Sequence, residues 1–371
     1  MERALARSRD RQPGLAPTRR RIRLMIVDDS TVARAVLSRM VESDPAFEIA
    51  AVAGTAEDAI EALGECRVDI IILDLEMPGA GGLKSIPRII AAAAGAKVMI
   101  VSSLAEDGAE HTVAALALGA ADTMPKPGTG RFNGKFSEIL VSKLKALGYA
   151  APAAPTATYA SQASGSQPIL RALPSDPIDV LAIGASTGGI HALGTFFHAL
   201  PKRIGVPILI TQHLPLPFMP VFARQLGALA QRPAIVAEDG MLLQPDHILV
   251  APGDAHLTVD PVKSGAIVRL THGSSSSGCM PSVDPMFASL GSVYGAGALG
   301  VVLTGMGRDG VEGAATLVRC GGSVIAQDEA SCAVWGMPRA ILEAGLASAV
   351  LPPDKIARRI AGRTEEQRAC K

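Results

Sequence analysis

Residues 178–189 read IDVLAIGASTGG: a continuous apolar run that halts at a glycine-rich turn and passes into the helical pattern IHALGTFFHAL at 190–200. A strand this apolar at successive positions suits a parallel sheet covered on both faces, and the turn after it begins a strand-helix unit. The same cadence recurs downstream in VPILITQ (206–212), ALGVVLTG (298–305) and GSVIAQD (322–328), with helical stretches after the first and second of these. AIVAED (234–239), HILVAP (247–252) and AIVRLTH (266–272) are further strand candidates. The run from Ala234 to His272 leaves no room for crossover helices, so hairpins and a partly antiparallel edge are expected there.

Upstream, IRLMIV (22–27), FEIAAVA (47–53), VDIIILD (68–74), KVMIVSS (97–103) and ADTMPK (121–126) are each followed by a helical stretch. Between the two series, residues 148–177 are rich in Ala, Pro, Ser and Thr and lack periodicity, which marks a linker. The chain is therefore expected to be α/β with two domains, in keeping with its 371 residues. An N-terminal (βα)5 domain spans 22–147, and a doubly wound, mostly parallel sheet with an antiparallel hairpin region spans 178–365.

Lys+Arg and Asp+Glu balance at 35 each, which offers no field to attract nucleic acid. Mean hydropathy is +0.30, yet the apolar runs fall short of the roughly 18 residues of a membrane span, so no membrane insertion is expected. Five scattered cysteines, Cys66, Cys279, Cys320, Cys332 and Cys370, form no C-x-x-C pair and fit a reducing cytoplasm. Residues 1–23 hold eight arginines, and 1–21 read as a disordered basic arm. Glu2, Asp10 and two prolines count against an amphipathic transit peptide.

In open parallel sheets the chemistry lies beyond the carboxyl ends of the strands. In the first domain those ends carry Asp28 and Asp29, Asp74, Ser102 and Ser103, and Lys126 before Pro127. Carboxylates gathered at one rim repel by about 4 kcal/mol per pair at 4 Å in an effective dielectric near 20, so a cation is required. A few carboxylates with water access suit Mg²⁺, and Lys126 offers a fixed positive charge for a phosphoryl group.

DD at 28–29, LDLEMPGAGG at 73–82, VSS at 101–103 and KP at 126–127 resemble the receiver domain of two-component response regulators. The resemblance implies phosphorylation of Asp74 by a histidine kinase, with Mg²⁺ held by Asp28, Asp29, Asp74 and the Glu76 main-chain carbonyl. Ser102 would meet the phosphoryl oxygen. Thr123 stands three residues before Lys126, where receivers usually have an aromatic.

In the second domain Ser186 sits in a G-x-S-x-G turn between strand and helix, where small neighbours leave the hydroxyl accessible and helix N–H groups face it. A serine nucleophile needs a base, and the base needs an acceptor for its other nitrogen. His213 and Asp309 fall at matching strand ends; His256 and His272 are rival bases. GASTGG lacks the second glycine of a dinucleotide loop, and no Gly-Lys-Ser/Thr makes it a P-loop. The order Ser, His, Asp also differs from the Ser, Asp, His order of the α/β-hydrolases.

GASTGG (184–189), TQH (211–213), APGDAHL (251–257), PSVDPMF (281–287), LTGMGRDG (303–310) and QDEASCAVWGMP (327–338) resemble the chemotaxis protein-glutamate methylesterases. The resemblance implies demethylation of glutamyl methyl esters and deamidation of glutamines on chemoreceptors, fed by a chemotaxis histidine kinase. Ser186 would be nucleophile, His213 base and Asp309 orienter, with no cofactor in the esterase site. Thr187 would line the site and the Met306 N–H would hold the oxyanion. Cys279 and Met280 stand where the family has a basic residue before PSVD. The first domain is expected to pack over the Ser186 edge and to release it on phosphorylation. The competing readings are a receiver joined to a phosphate-gripping output module that breaks no bond, and a hydrolase with an unrelated substrate.

Overall fold

The computed structural model describes residues 20–77, 82–102, 106–126, 134–149, 170–173 and 177–369. The expected arm (1–21) and linker (148–177) fall largely outside these residues, as do Ser103 and Pro127. The first half alternates strictly: β1 (Ile22–Val27), α1 (Thr31–Glu42), β2 (Phe47–Ala53), α2 (Ala56–Glu65), β3 (Ile70–Leu73), α3 (Gly82–Ala92), β4 (Lys97–Ser102), α4 (Glu106–Ala117), β5 (Asp122–Pro125) and α5 (Gly134–Gly148). Its five strands form a parallel sheet in the order β2-β1-β3-β4-β5. Ile70, Ile71, Ile72 and Leu73 are all buried, as a strand covered on both faces requires.

The second half begins β6 (Val180–Ala185), α6 (Gly189–Ala199), β7 (Ile208–Gln212), α7 (Met219–Ala230), β8 (Ala234–Val236) and β9 (Ile248–Val250). It continues through β10 (His256–Val262), β11 (Gly265–Thr271), α8 (Val283–Tyr294), β12 (Ala298–Val302), α9 (Val311–Arg319), β13 (Ser323–Gln327), α10 (Met337–Glu343), β14 (Ala347–Leu351) and α11 (Pro353–Ala369). Seven strands lie parallel in the order β14-β13-β12-β6-β7-β9-β8, and β10-β11 form a separate antiparallel pair.

The hairpin expected between Ala234 and His272 is thus the β10-β11 pair, but the expected antiparallel edge does not form: the edge strand β8 and its neighbour β9 are parallel to the rest. The connection between β8 and β9 manages without a helix because its backbone pairs with β11: Gly240 N–H donates to Val268 O at 2.9 Å and Leu243 N–H to Ala266 O at 2.9 Å. Two strands escaped the sequence reading. The β10 strand carries Asp260-Pro261, poor strand formers, and β14 is a short run with Ala and Ser. Before β6, Arg171 N–H donates to Ala347 O at 2.9 Å, so residues 170–173 run alongside β14.

One apolar cluster runs through both halves, uniting Ile71 and Ile100 of the first sheet, Val113 and Leu116 of α4, and Ile190, Leu193 and Phe196 of α6. Polar ties accompany it: Arg224 pairs with Glu110, Gln225 Nε2 donates to Glu110 O at 3.4 Å, and His191 Nδ1 lies 3.3 Å from Ala117 O. No described helix is long and apolar enough to cross a membrane.

Candidate active site

β6 lies between β12 and β7, so the turns that leave these three strands meet at one rim of the sheet. Ser186 follows β6, His213 follows β7 and Asp309 lies in the loop after β12. The turn at Ser186 depends on glycine twice. Gly188 has φ +78°, the left-handed region, and caps α6. Gly305 approaches so closely that a Cβ there would lie 2.8 Å from Ser186 Cβ.

Main-chain bonds hold Ser186 in place. Its N–H donates to Thr304 O at 3.0 Å, and its carbonyl accepts from Gln212 Nε2 at 2.9 Å and Gly189 N–H at 2.8 Å. His213 N–H donates to Ala185 O at 3.1 Å, which ties the two turns together. Among the described residues neither the Ser186 hydroxyl nor the Met306 N–H is engaged in a hydrogen bond. Ser186 and His213 are therefore neighbours at adjacent strand ends without a bond between their side chains.

His213 Nε2 lies 2.8 Å from Asp309 Oδ2, and the Asp309 side chain is only 1% exposed. The carboxylate accepts two further bonds, from the Ser282 hydroxyl at 2.6 Å and the Val283 N–H at 2.8 Å. Burial disfavours both charges, but the mutual bond outweighs it. Asp309 is held well below the usual carboxylate range, and His213, bonded to Asp309 and next to Cys279, is raised to about 9. With Nε2 committed to Asp309, Nδ1 is the nitrogen left to take up a proton.

The rival histidines lie elsewhere. His256 is buried, its Nδ1 accepting from the Ser282 N–H at 3.0 Å, so Nε2 donates to Gly273 O at 2.7 Å. It therefore supports the segment that holds Asp309. His272 is set against Asp254 O at 3.1 Å. Sequence reasoning singled out Cys279 only as a departure from the family's basic residue, and gave Ser282 and Asp284 no place at this rim. Burial pushes Asp284 up to about 6, with Asp309 adding to the shift.

Thr187, expected to line the site, instead donates its hydroxyl to Asp122 Oδ2 at 2.6 Å, across the joint between the two halves. Asp122 also accepts from Lys143 Nζ at 2.7 Å and the Thr123 N–H at 2.7 Å, and Gly188 N–H donates to Ala121 O at 2.6 Å. Val334 is buried with Met124, Phe136 and Leu140 of the first half, and Met306 and Ala333 pack against that cluster. Both flanks of the Ser186 turn are thus fastened to the first domain.

At the first sheet's rim, Lys126 Nζ stands 2.7 Å from Asp74 Oδ2 and 2.9 Å from Asp28 Oδ2. Oxygens of Asp28, Asp29 and Asp74 all lie within 4.8 Å of one another, and Asp29 is exposed. Burial raises the Asp74 carboxyl despite Lys126, while burial of Lys126 is outweighed by its two carboxylates, which raise it. The Glu76 N–H donates to Asp74 Oδ1 at 3.2 Å. The Ser102 hydroxyl pairs with Thr112 Oγ1 at 2.8 Å, which sequence could not foretell. This donor set, all hard oxygens with one side open, fits Mg²⁺.

The CheB methylesterase family model matches residues 181–360, and the response regulator receiver domain model matches 24–131. A protein-glutamate methylesterase/protein-glutamine glutaminase of Caulobacter vibrioides is 42% identical over 92% of this chain and 99% of its own length. One from Rhodospirillum rubrum is 40% identical over 91% and 93%. The solved CheB methylesterase catalytic domain of Thermotoga maritima is 34% identical, covering 50% of this chain and 98% of that one, with a TM-score of 0.49. With such identity sustained along nearly the whole length of its relatives, the chain belongs to the CheB family of protein-glutamate methylesterases/protein-glutamine glutaminases, enzymes that join a response regulator receiver to a hydrolase.

Proposed function

We propose that Ser186, His213 and Asp309 carry the hydrolysis of glutamyl methyl esters, and of glutamine amides, on chemoreceptors. The observation behind this reading is the 2.8 Å His213–Asp309 bond at the strand end beside an uncommitted Ser186 hydroxyl. Ser186 Oγ attacks the carbonyl carbon while His213 Nδ1 takes its proton, and Asp309 stabilises the imidazolium. The proton then passes to the leaving methanol or ammonia, and water, activated by the same imidazole, hydrolyses the acyl-enzyme. The Met306 N–H and the amides of the glycine turn hold the oxyanion, each such donor contributing about 3–4 kcal/mol. Thr187 joins this rim once its bond to Asp122 is released.

The proposed division is a receiver over 22–147 and an esterase over 178–365, with Asp74 as phosphoacceptor and Ser102 and Lys126 as its switch residues. Asp28, Asp29, Asp74 and the Glu76 carbonyl would hold Mg²⁺, which when bound offsets the charge of the incoming phosphoryl group. A histidine kinase is the donor. Loss of the Lys126–Asp74 pairing on phosphorylation, and a turn of Ser102 away from Thr112, would loosen the β5 edge that grips Thr187 and Gly188.

Methanol release from methylated chemoreceptor membranes tests the whole reading. Release should be detectable, rise with a small-molecule phosphodonor in wild type, and fail to rise in Asp74→Asn. A chain inert on receptor ester but active on a metabolite ester would overturn the substrate assignment. A fragment starting at Pro177 should be faster than the unphosphorylated full chain; equal rates would refute occlusion.

Ser282→Ala removes a donor to Asp309 and the cap of α8, where the Asp284 N–H meets Ser282 Oγ at 3.2 Å. The expected result is roughly tenfold lower kcat, because Asp309 is less firmly held against His213. Urea unfolding should also show lost stability of about 1 kcal/mol from the cap and about 1.5–3 kcal/mol from the buried bond to the carboxylate.

A further inference from the structure

We propose that His213, Cys279 and Asp309 form an inhibitory binding site for Zn²⁺ and similar thiophilic divalent cations, through which such a metal shuts off the esterase. The inference rests on the reading of His213 as the base. An imidazole nitrogen of His213, the Cys279 sulfur and an Asp309 carboxylate oxygen all lie within 4.8 Å of one another. Bonds of about 2.0–2.3 Å in a tetrahedral zinc centre place ligand atoms about 3.5 Å apart, so side-chain shifts of about 1 Å close the site.

Charge favours the same occupant. A divalent ion with one thiolate, one carboxylate and a neutral imidazole is electrically neutral, which suits a rim where the Asp309 side chain is 1% exposed. On binding, the Cys279 thiol proton and any second imidazole proton leave to solvent, and a water fills the fourth position.

The ligands are braced. Asp309 accepts from the Ser282 hydroxyl and the Val283 N–H, as described above. Cys279 is positioned by its own backbone, its carbonyl accepting from Ser275 Oγ at 2.9 Å and its N–H donating to Ser277 Oγ at 3.3 Å. Cys279 is only partly buried and the His213 side chain is 17% exposed, so an ion can enter from solvent. Ligand softness separates this site from the oxygen-only cluster of Asp28, Asp29 and Asp74, which suits Mg²⁺. Once the metal holds the imidazole and its carboxylate, His213 cannot receive the Ser186 proton.

The test uses the full chain with excess Mg²⁺, and Co²⁺ as a spectroscopic probe. Wild type should develop a near-ultraviolet thiolate-to-cobalt charge-transfer band and the visible bands of four-coordinate cobalt at one equivalent. Cys279→Ser should lose them, while a Cys66→Ser, Cys320→Ser double variant keeps them. Zn²⁺ should slow methanol release by wild type at least tenfold, reversibly on chelation and Mg²⁺ readdition. Cys279→Ser, measured against its own metal-free rate, should need at least tenfold more Zn²⁺. Absence of the cobalt-thiolate band in wild type, or equal zinc sensitivity of the two proteins, overturns the proposal. The cobalt spectrum decides this even if the metal-free chain releases no methanol, an outcome that would count against the catalytic reading alone.

Discussion

Ser186→Ala is expected to cut methanol release from methylated receptor by roughly 10⁴- to 10⁶-fold, the range seen when a relay of this kind loses its nucleophile. The substitution is unusually clean here. Every bond that fixes residue 186 uses its main chain: the N–H to Thr304 O, and the carbonyl to Gln212 and Gly189. The hydroxyl itself is bonded to none of the described residues. Alanine keeps the Cβ that packs against Gly305 and loses only the reacting oxygen. Folding, measured by thermal unfolding, should therefore be unchanged within about 0.5 kcal/mol. A variant within tenfold of wild type would remove Ser186 from the chemistry. A binding-only output module predicts something different, no methanol from either protein.

How much of this was readable beforehand follows from topology. In a parallel sheet polar residues that do chemistry tend to stand just past the strands, so strand ends pointed to Asp28, Asp74 and Lys126 in one half and to Ser186, His213 and Asp309 in the other, with His256 and His272 left open as rival bases. The structure brings each trio to one rim. Residues delivered by other routes were not legible. Cys279 and Ser282 reach the site from the segment between β11 and α8, and Asp284 from the first turn of α8, none of them at a strand end of the main sheet. His256 looked like a possible base because type and loop position are all that sequence shows. Only its two bonds, to the Ser282 N–H and Gly273 O, mark it as a support.

The joint between the halves was the least legible feature, since it needs two surfaces at once. Asp122 opens β5 and, read along the chain, is an ordinary polar residue at a strand start. Only the fold makes it the common acceptor for Lys143, the Thr123 N–H and the Thr187 hydroxyl. Thr123 is buried, so the position that receivers usually fill with an aromatic lies inward here, two residues from the contact between Gly188 and Ala121. The sequence-level expectation that the first domain covers the Ser186 edge named the right edge but none of these contacts.

Asp309→Asn should change both the height and the position of the pH profile. In the wild type the active form needs a neutral imidazole, so kcat/KM rises with pH as His213 loses its proton. Burial lowers that pKa, but Asp309 and Cys279 together outweigh it and raise it to about 9, so the rate climbs through the alkaline range. Removing the charge leaves burial, the largest influence on His213, unopposed by Asp309, and burial favours the neutral ring. The ascending limb should therefore move down from about 9, Cys279 alone still favouring the charged ring. The asparagine oxygen can still accept from His213 and the Val283 N–H, with its NH₂ turned to Ser282 Oγ, which has a lone pair free to accept. The tautomer with its proton on Nε2 then survives, and the loss is that of imidazolium stabilisation alone. A relay that loses the tautomer as well falls about 10⁴-fold, so a plateau lowered by roughly 10²- to 10³-fold is expected here. Methanol release measured from pH 5 to 10 in both proteins decides the matter: an unmoved midpoint, or a plateau within threefold of wild type, would show that Asp309 does not act through His213.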